Sequence, residues 1–318
     1  MKKISFVIPC YGSEDTVADV ISEINNKMKE RQELEYEIIT VNDCSPDNVI
    51  SVLKNCAEKD SHLKVIDLAK NVGKHAADMA GMSVVTGDTL IFLDDDGQCP
   101  VDRLWDLIEP LNNGFDISIA KYPVKKQSAF KNFGSKVNSI MSRYLIGKPK
   151  SLYLSNFAAM KRFVADEMIK YNKPYPYFDG LMLRTTSRIC NVDMEERERS
   201  AGVGHYTFIK SLKLWFNGFT AFSVKPLRVS TILGAMCAMI GFIFGIITII
   251  RKILHPEILM GYSSLMAVLM FIGGVIMMML GMIGEYVGRI YICINNSPQY
   301  VIRDTINIKD KERDHETV

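Results

Sequence analysis

Residues 89–98 read Thr89-Leu90-Ile91-Phe92-Leu93-Asp94-Asp95-Asp96-Gly97-Gln98. The first half has the aliphatic and aromatic composition of a strand buried on both faces. It ends in three consecutive carboxylates, which repel one another unless something positive sits among them. Alternation along an extended backbone sends Asp94 and Asp96 to one side and Asp95 to the other, with Gln98 continuing the first side as a neutral oxygen donor. An all-oxygen set favours Mg2+ or Mn2+. Such a cation keeps several waters and binds substrate phosphates as well, so a diphosphate is the expected occupant. A solvated acidic turn is the competing reading of the same residues.

Working upstream, the sequence predicts strands at Ile4–Ile8, Tyr36–Val41 and Leu63–Leu68, with helices beginning near Glu14 and Pro46. Strands alternating with helices predict an α/β fold, Rossmann-like, with a mostly parallel sheet. In such sheets ligands lie beyond the carboxyl ends of the strands. Polar turns follow each predicted strand: Pro9-Cys10-Tyr11-Gly12, Asn42-Asp43-Cys44-Ser45, Lys70-Asn71-Val72-Gly73, and the acidic run itself. Singly these are punctuation; aligned on one rim they form a candidate site.

Working downstream, residues 122–150 are basic and partly apolar, with Phe130, Phe133, Val137, Ile140 and Met141 at near-helical spacing. That pattern fits a helix on a membrane surface or one packed on the sheet. Residues 206–222 carry Trp215, Phe216, Phe219 and Phe222 beside Lys210 and Lys213, the composition of an interfacial helix. Two charge-free stretches follow, 229–250 and 262–284, each long enough to span the ~30 Å hydrocarbon core. Joined by 251–261, they predict a two-helix transmembrane hairpin with the N-terminal domain and the tail on one side. Lys225, Arg228 and Arg289 flank that side and Arg251 and Lys252 the other, so charge bias orients the hairpin weakly. The expected location is the inner or plasma membrane with a cytoplasmic catalytic domain, because the apolar run at the N-terminus, Ile4 to Pro9, is far too short for a signal peptide. The expected division is therefore a catalytic domain over 1–225, an anchor over 226–292 and a polar tail over 293–318 with no chemistry of its own.

Bulk properties exclude other classes. Hydrophobic residues make up 48% and charged residues 23% of the 318, which fits a folded core and rules out a disordered chain. A net charge of +2 gives no basic face for nucleic acid. Seven cysteines contain no CxxC pair, so neither a disulfide framework nor a thiolate metal site is expected, and a reducing compartment is the simpler reading.

Several motifs together resemble the inverting family 2 glycosyltransferases of GT-A fold, in particular the bacterial polyprenyl-phosphate type with two C-terminal spans. They are Val7-Ile8-Pro9-Cys10-Tyr11, Val41-Asn42-Asp43, Asn71-Val72-Gly73-Lys74-His75, Thr86-Gly87-Asp88, Asp94-Asp95-Asp96-Gly97-Gln98, Arg199 with Gly202 and Tyr206, Pro226-Leu227-Arg228, and Gly284-Glu285-Tyr286-Val287-Gly288-Arg289-Ile290-Tyr291. The order of motifs is similar to the aminoarabinose and glucosyl transferases acting on undecaprenyl phosphate, and more distantly to dolichol-phosphate mannose synthase.

This resemblance implies a nucleotide-sugar donor, a UDP-sugar in preference to a GDP-sugar, a polyprenyl phosphate acceptor, Mg2+ or Mn2+ as cofactor, and a homo-oligomer, a tetramer in relatives. It places Pro9, Tyr11, Asp43, Asn71 and Asp94 on the nucleotide sugar, and Asp94, Asp96 and Gln98 on the metal. Lys121, Lys125, Lys131 and Arg199 fall where relatives carry basic residues for the acceptor phosphate. Because a monoalkyl phosphate is already largely anionic near neutral pH, with a second pKa of about 6, the expected catalysis is positioning plus electrostatics. Asp95, Asp96 and Arg199 are the catalytic candidates.

Departures from the family pattern are local. Ser13 replaces a ribose-contacting Glu, with Glu14 adjacent; Asn156-Phe157-Ala158 stands where relatives read Asp-Phe-Arg; Gly204 replaces a Ser. His75 reads as structural, and Glu285 with Arg289 as a pair one helical turn apart. Rival readings are a transferase extending a lipid-linked oligosaccharide or polysaccharide, and a catalytically silent membrane scaffold. The Gln-x-x-Arg-Trp motif of processive synthases surrounds neither Trp105 nor Trp215.

Overall fold

Strand-forming runs rich in aliphatic and β-branched residues pair into one sheet in the computed structural model, which describes residues 2–122, 148–195, 197, 225–255, 262–295 and 297–308. The chain divides into two units, Met1–Thr207 with Asn296–Val318, and Phe208–Asn295.

The first unit is built on β1 (Lys3–Cys10), β2 (Glu35–Asn42), β3 (Leu63–Leu68), β4 (Thr89–Phe92), β5 (Ile117–Lys121), β6 (Ala158–Lys161), β7 (Ile189–Asp193) and β8 (Ile302–Ile306), in the order β7-β5-β6-β4-β1-β2-β3-β8. Only β6 and β8 run against the other strands of this sheet, so the mostly parallel expectation holds. From β1 the chain winds outward through β2 and β3, then returns to lay β4 on the other flank of β1. The strand order reverses between β1 and β4, which opens a crevice at their carboxyl ends.

Buried apolar side chains fix each layer. Helix α1 (Val17–Met28) turns Val17, Val20, Ile21, Ile24 and Met28 inward at three- and four-residue spacing. Helices α2 (Val49–Ala57), α3 (Lys74–Met82) and α4 (Leu104–Asn112) complete the crossovers, followed by α5 (Arg162–Ile169) and α6 (Phe178–Thr185). Phe6, Ile8 and Phe157 are fully buried, each stabilising the fold by roughly 1.5–3 kcal/mol. Helix α3 lies so close to the sheet that a Cβ on Gly81 would sit 2.5 Å from Val7 Cγ1 and 3.1 Å from Val41 Cγ2.

Helices α1 and α2 begin later than the sequence predicts, because the residues before them tie two loops together. The Glu14 carboxylate accepts from the Asn48 N–H at 2.8 Å, and Asp47 accepts from the Glu14 N–H at 2.9 Å. Glu14, the nearest substitute for a ribose-binding Glu, is thus engaged in the fold.

The C-terminal segment departs further from expectation. Residues 302–306 are no loose tail but an edge strand, β8, antiparallel to β3. Arg303 donates to the Ala69 carbonyl at 3.0 Å, and Val301 accepts from the Ala69 N–H at 2.8 Å.

The second unit contains helices α7 (Lys225–Leu254) and α8 (Tyr262–Ile294), of 30 and 33 residues. At about 1.5 Å per residue, each exceeds the span needed to cross a bilayer. They approach one another where Gly234 faces Met279, whose Cε would stand 2.6 Å from an added Cβ. Among the described residues, the stretch long and apolar enough to cross a membrane is Phe271–Ile294, later than the predicted 262–284; α7 contributes a shorter apolar run, Gly234–Phe244.

Candidate active site at the β1–β4 crevice

Four loops meet at the carboxyl ends of β1 to β4, and hydrogen bonds between them hold the rim. Pro9 lies next to the last residue of β1, opposite Val41, and Gly12 turns at φ +71 while its N–H donates to Ser45 Oγ at 2.8 Å. Tyr11, exposed at 53%, leaves its ring free while its N–H donates to Asp95 Oδ2 at 3.0 Å.

Asp43 organises the second pair of loops. Its Oδ1 accepts from the Val72 N–H at 2.7 Å and its Oδ2 from the Gly73 N–H at 2.8 Å. Asn71 returns the contact, donating from Nδ2 to the Asp43 carbonyl at 3.1 Å. Burial pushes the Asp43 carboxyl up, and the two amides oppose that shift. The structure therefore brings Asp43 and Asn71 together as expected, but in a mutual clamp at the start of α3. Gly73, at φ +86, supplies a backbone that side-chain-bearing residues rarely adopt.

Asp94 and Asp95 face different partners, as alternation predicts. Asp94 forms an ion pair with Lys74 and accepts from Asn156 Nδ2 at 2.6 Å. Asp95 turns the other way, towards the loop after β1, and its carbonyl accepts from Thr16 Oγ1 at 2.6 Å. Burial pushes the Asp95 carboxyl up to about 6. Its bonds tie the loop after β4 to the loop after β1. Asp96 Oδ1 accepts from the Gln98 N–H at 3.1 Å, closing the turn.

The metal set is not preassembled. Among the described residues, no group of three or more His, Cys, Asp or Glu converges as a metal cluster. Gln98 aims its amide nitrogen at the Arg197 carbonyl, 3.4 Å away, and Lys74 already neutralises Asp94. The donors nonetheless suit a hard cation: two carboxylates from one turn and an amide oxygen available by rotation, leaving room for water and phosphate oxygens. Asp94 and Asp96 fit Mg2+ or Mn2+ on condition that Lys74 gives way.

Of the acceptor-side candidates, Lys121 ends β5, half-exposed, and pairs with Asp193 at 2.9 Å. Lys125, Lys131 and Arg199 lie outside the described residues, as do 123–147 and 198–224, which contain most of both amphipathic stretches.

Sequence reasoning missed the second layer beneath Asp94. Lys74, His75, Asp78, Asn156 and Asp179 line a small cavity of about 20 Å3 with Phe92 and Phe178. Burial pushes Asp78 up to about 7 and Asp179 up to about 6, and pushes His75 down to about 4. The available signal was Asp78 itself, a lone carboxylate in the otherwise small and apolar run Ala76-Ala77-Asp78-Met79-Ala80-Gly81. His75 stands edge-on to the Tyr177 ring, with centroids 5.5 Å apart, consistent with its expected structural role. A larger hollow of about 560 Å3, lined by Lys3, Glu35, Tyr36 and His62 among others, lies at the amino ends of β1 and β2, remote from the carboxylates.

Comparison with known proteins adds to this geometry. The profile described as Glycosyl transferase family 2 matches residues 5–169, and that described as GtrB C-terminal hairpin matches residues 225–290. A protein of Bacillus subtilis (strain 168) named uncharacterized glycosyltransferase YkcC is 30% identical over 310 residues, 96% of this chain and 95% of that protein. An undecaprenyl-phosphate 4-deoxy-4-formamido-L-arabinose transferase of Proteus mirabilis (strain HI4320) is 29% identical over 320 residues, covering 99% and 98% of the two chains. Among solved structures, mannosyl-3-phosphoglycerate synthase from Rubrobacter xylanophilus is similar with a TM-score of 0.48 at 18% identity, over 68% of this chain and 71% of that one.

Proposed function

The chain belongs to glycosyl transferase family 2, and from that premise we propose that it transfers a sugar, with inversion, from a nucleotide sugar to a polyprenyl phosphate at the cytoplasmic face of a membrane. The observation that carries this reading is the acidic turn of Asp94 and Asp96 beyond β4, at the reversal of strand order, in a chain that also carries the hairpin at 225–290. The Proteus mirabilis relative, named for transfer to undecaprenyl phosphate, supports the choice of acceptor. The donor is a UDP-sugar in preference to a GDP-sugar.

The chain's own residues supply positioning and charge. Tyr11 offers an exposed ring on which a base can stack, at the mouth of a crevice held open by the bonds from Asp95 and Asp43. Asp94 and Asp96 would hold Mg2+ or Mn2+, with Gln98 completing the set. Once bound, that ion would neutralise the departing nucleoside diphosphate. Asn156, donating to Asp94, fixes its orientation. The lipid phosphate arrives as its own nucleophile, so no side chain has to remove a proton from it.

An anchor serves this chemistry, because extracting a polyprenyl chain costs about 0.8 kcal/mol per CH2. Helices α7 and α8 present large apolar side chains outward, among them Phe242 at 71% and Met278 at 72% exposure. The pairing of β8, which follows the helices, with β3 supports an even number of crossings between them. Two spans satisfy both constraints.

The test incubates the purified full chain with undecaprenyl phosphate, Mg2+ or Mn2+ and a panel of UDP- and GDP-sugars, then identifies the glycolipid by mass. The expected product is a polyprenyl-phosphate sugar that the Asp96→Ala variant fails to make. Transfer only to a lipid already carrying a sugar would replace this reading with that of an extending transferase. Light scattering in detergent tests the homotetramer.

A further inference from the structure

Three carboxylates feel the charge of one ammonium beneath the acidic turn. Lys74 pairs with Asp94. Asp78 stands one helical turn along α3 from Lys74, the spacing at which side chains on one face meet. Asp179 stands at the start of α6, and the Lys74 charge acts on it as on Asp78. Lys148 also acts on Asp179, so two cations face three acids.

Lys74, Asp78, Asn156 and Asp179 line the cavity of about 20 Å3, room for a group the size of one water or one ammonium head. Asp78 is 3% exposed, and its Oδ1 has no hydrogen-bond partner among the described residues. A buried oxygen left without a donor is costly, and a carboxylate oxygen more so. That burial pushes Asp78 up to about 7 marks a carboxylate that gains from an arriving cation.

We propose that Lys74 is a two-position counter-cation: its ammonium closes on Asp94 in the resting enzyme and moves into the cavity against Asp78 and Asp179 when Asp94 is given over to a divalent metal. This rests on the metal reading above. In the first position Lys74 relieves the repulsion among Asp94, Asp95 and Asp96, so the turn folds without metal. In the second it satisfies Asp78 Oδ1. The four-carbon stem of lysine lets one ammonium reach both seats, which a planar guanidinium would not do as readily. The cost is competition: metal alone must displace a cation, and binds well only when a nucleoside diphosphate adds its negative charge. Metal and nucleotide binding are thereby coupled.

The test measures Mn2+ binding to the full chain in detergent by the electron paramagnetic resonance of free Mn2+, with no nucleotide and no lipid. Lys74→Gln and Lys74→Met are each expected to bind Mn2+ at least tenfold more tightly than wild type. Asp78→Asn, which weakens the second seat, is expected to loosen Mn2+ several-fold in the wild-type background and to have no effect beside Lys74→Gln. Unchanged or weaker binding in both Lys74 variants overturns the proposal, as does an Asp78→Asn effect that persists without the lysine. Asp94→Asn separates the two readings: if it binds Mn2+ like wild type, the metal assignment itself is wrong and the switch falls with it. If it abolishes binding while the Lys74 variants match wild type, the switch alone is wrong.

Discussion

Asn156 donates its side-chain amide to Asp94 at 2.6 Å, joining the turn before β6 to the carboxylate beyond β4. Position 156 looked from sequence like a lost functional group, since relatives place an acid there. In the folded chain an acid would set two like charges at hydrogen-bonding distance, whereas the amide orients Asp94 and adds no charge.

Replacing Asn156 with Ala is therefore expected to lower kcat/KM for the nucleotide sugar about tenfold, the loss of about 1.4 kcal/mol of orientation. Thermal stability should change little because the residue is exposed. Asn156→Asp should cost at least as much. Steady-state kinetics on both variants decide it, and an Ala variant as active as wild type would remove Asn156 from the site.

Asp43→Ala leaves the Val72 and Gly73 amides without their acceptor. The expected destabilisation is about 2 kcal/mol, with nucleotide affinity reduced because the clamp on the loop is lost. Asp43→Asn keeps one acceptor oxygen and should fall between. Denaturant unfolding and nucleotide titration of the same samples check this; full stability in the Ala variant would contradict it.

Gly81→Ala forces a methyl to within 2.5 Å of Val7 Cγ1. Overpacking costs typically 1–3 kcal/mol, against roughly 1 kcal/mol gained in helix propensity. The melting temperature should fall, and a variant as stable as wild type would mean that α3 can lift from the sheet without penalty.

Glu37 gives a stability signal that depends on pH. Burial alone would raise its pKa, but hydrogen bonds from Ser5 and Thr86 and the charge of Lys64 outweigh it and hold the carboxyl at about 2, below the usual 4.5. A depressed folded pKa contributes stability that is present above pH 4.5 and is lost as pH falls towards 2. Unfolding free energy of the wild type should decline through that window more steeply than that of Glu37→Gln. Parallel pH profiles would show that the pairing contributes nothing.

Much of this protein could be read from residue order alone. Buried strands that end in polar turns are a local property, so β1 to β4, the rim at their carboxyl ends and the opposite facing of Asp94 and Asp95 were all legible. So were two long apolar helices, because a segment of such composition has few alternatives in water. Tertiary structure decided what each polar group meets. Asp43 and Asn71 close on each other, Asp95 is drawn into the loop after β1, and Asp94 finds Lys74, since partners 20 to 84 residues apart are chosen by strand order. The edge strand β8 was illegible for the same reason: Ile302-Arg303-Asp304-Thr305-Ile306 is short and charged at its centre, and its hydrogen bonds are supplied by β3, more than 230 residues earlier.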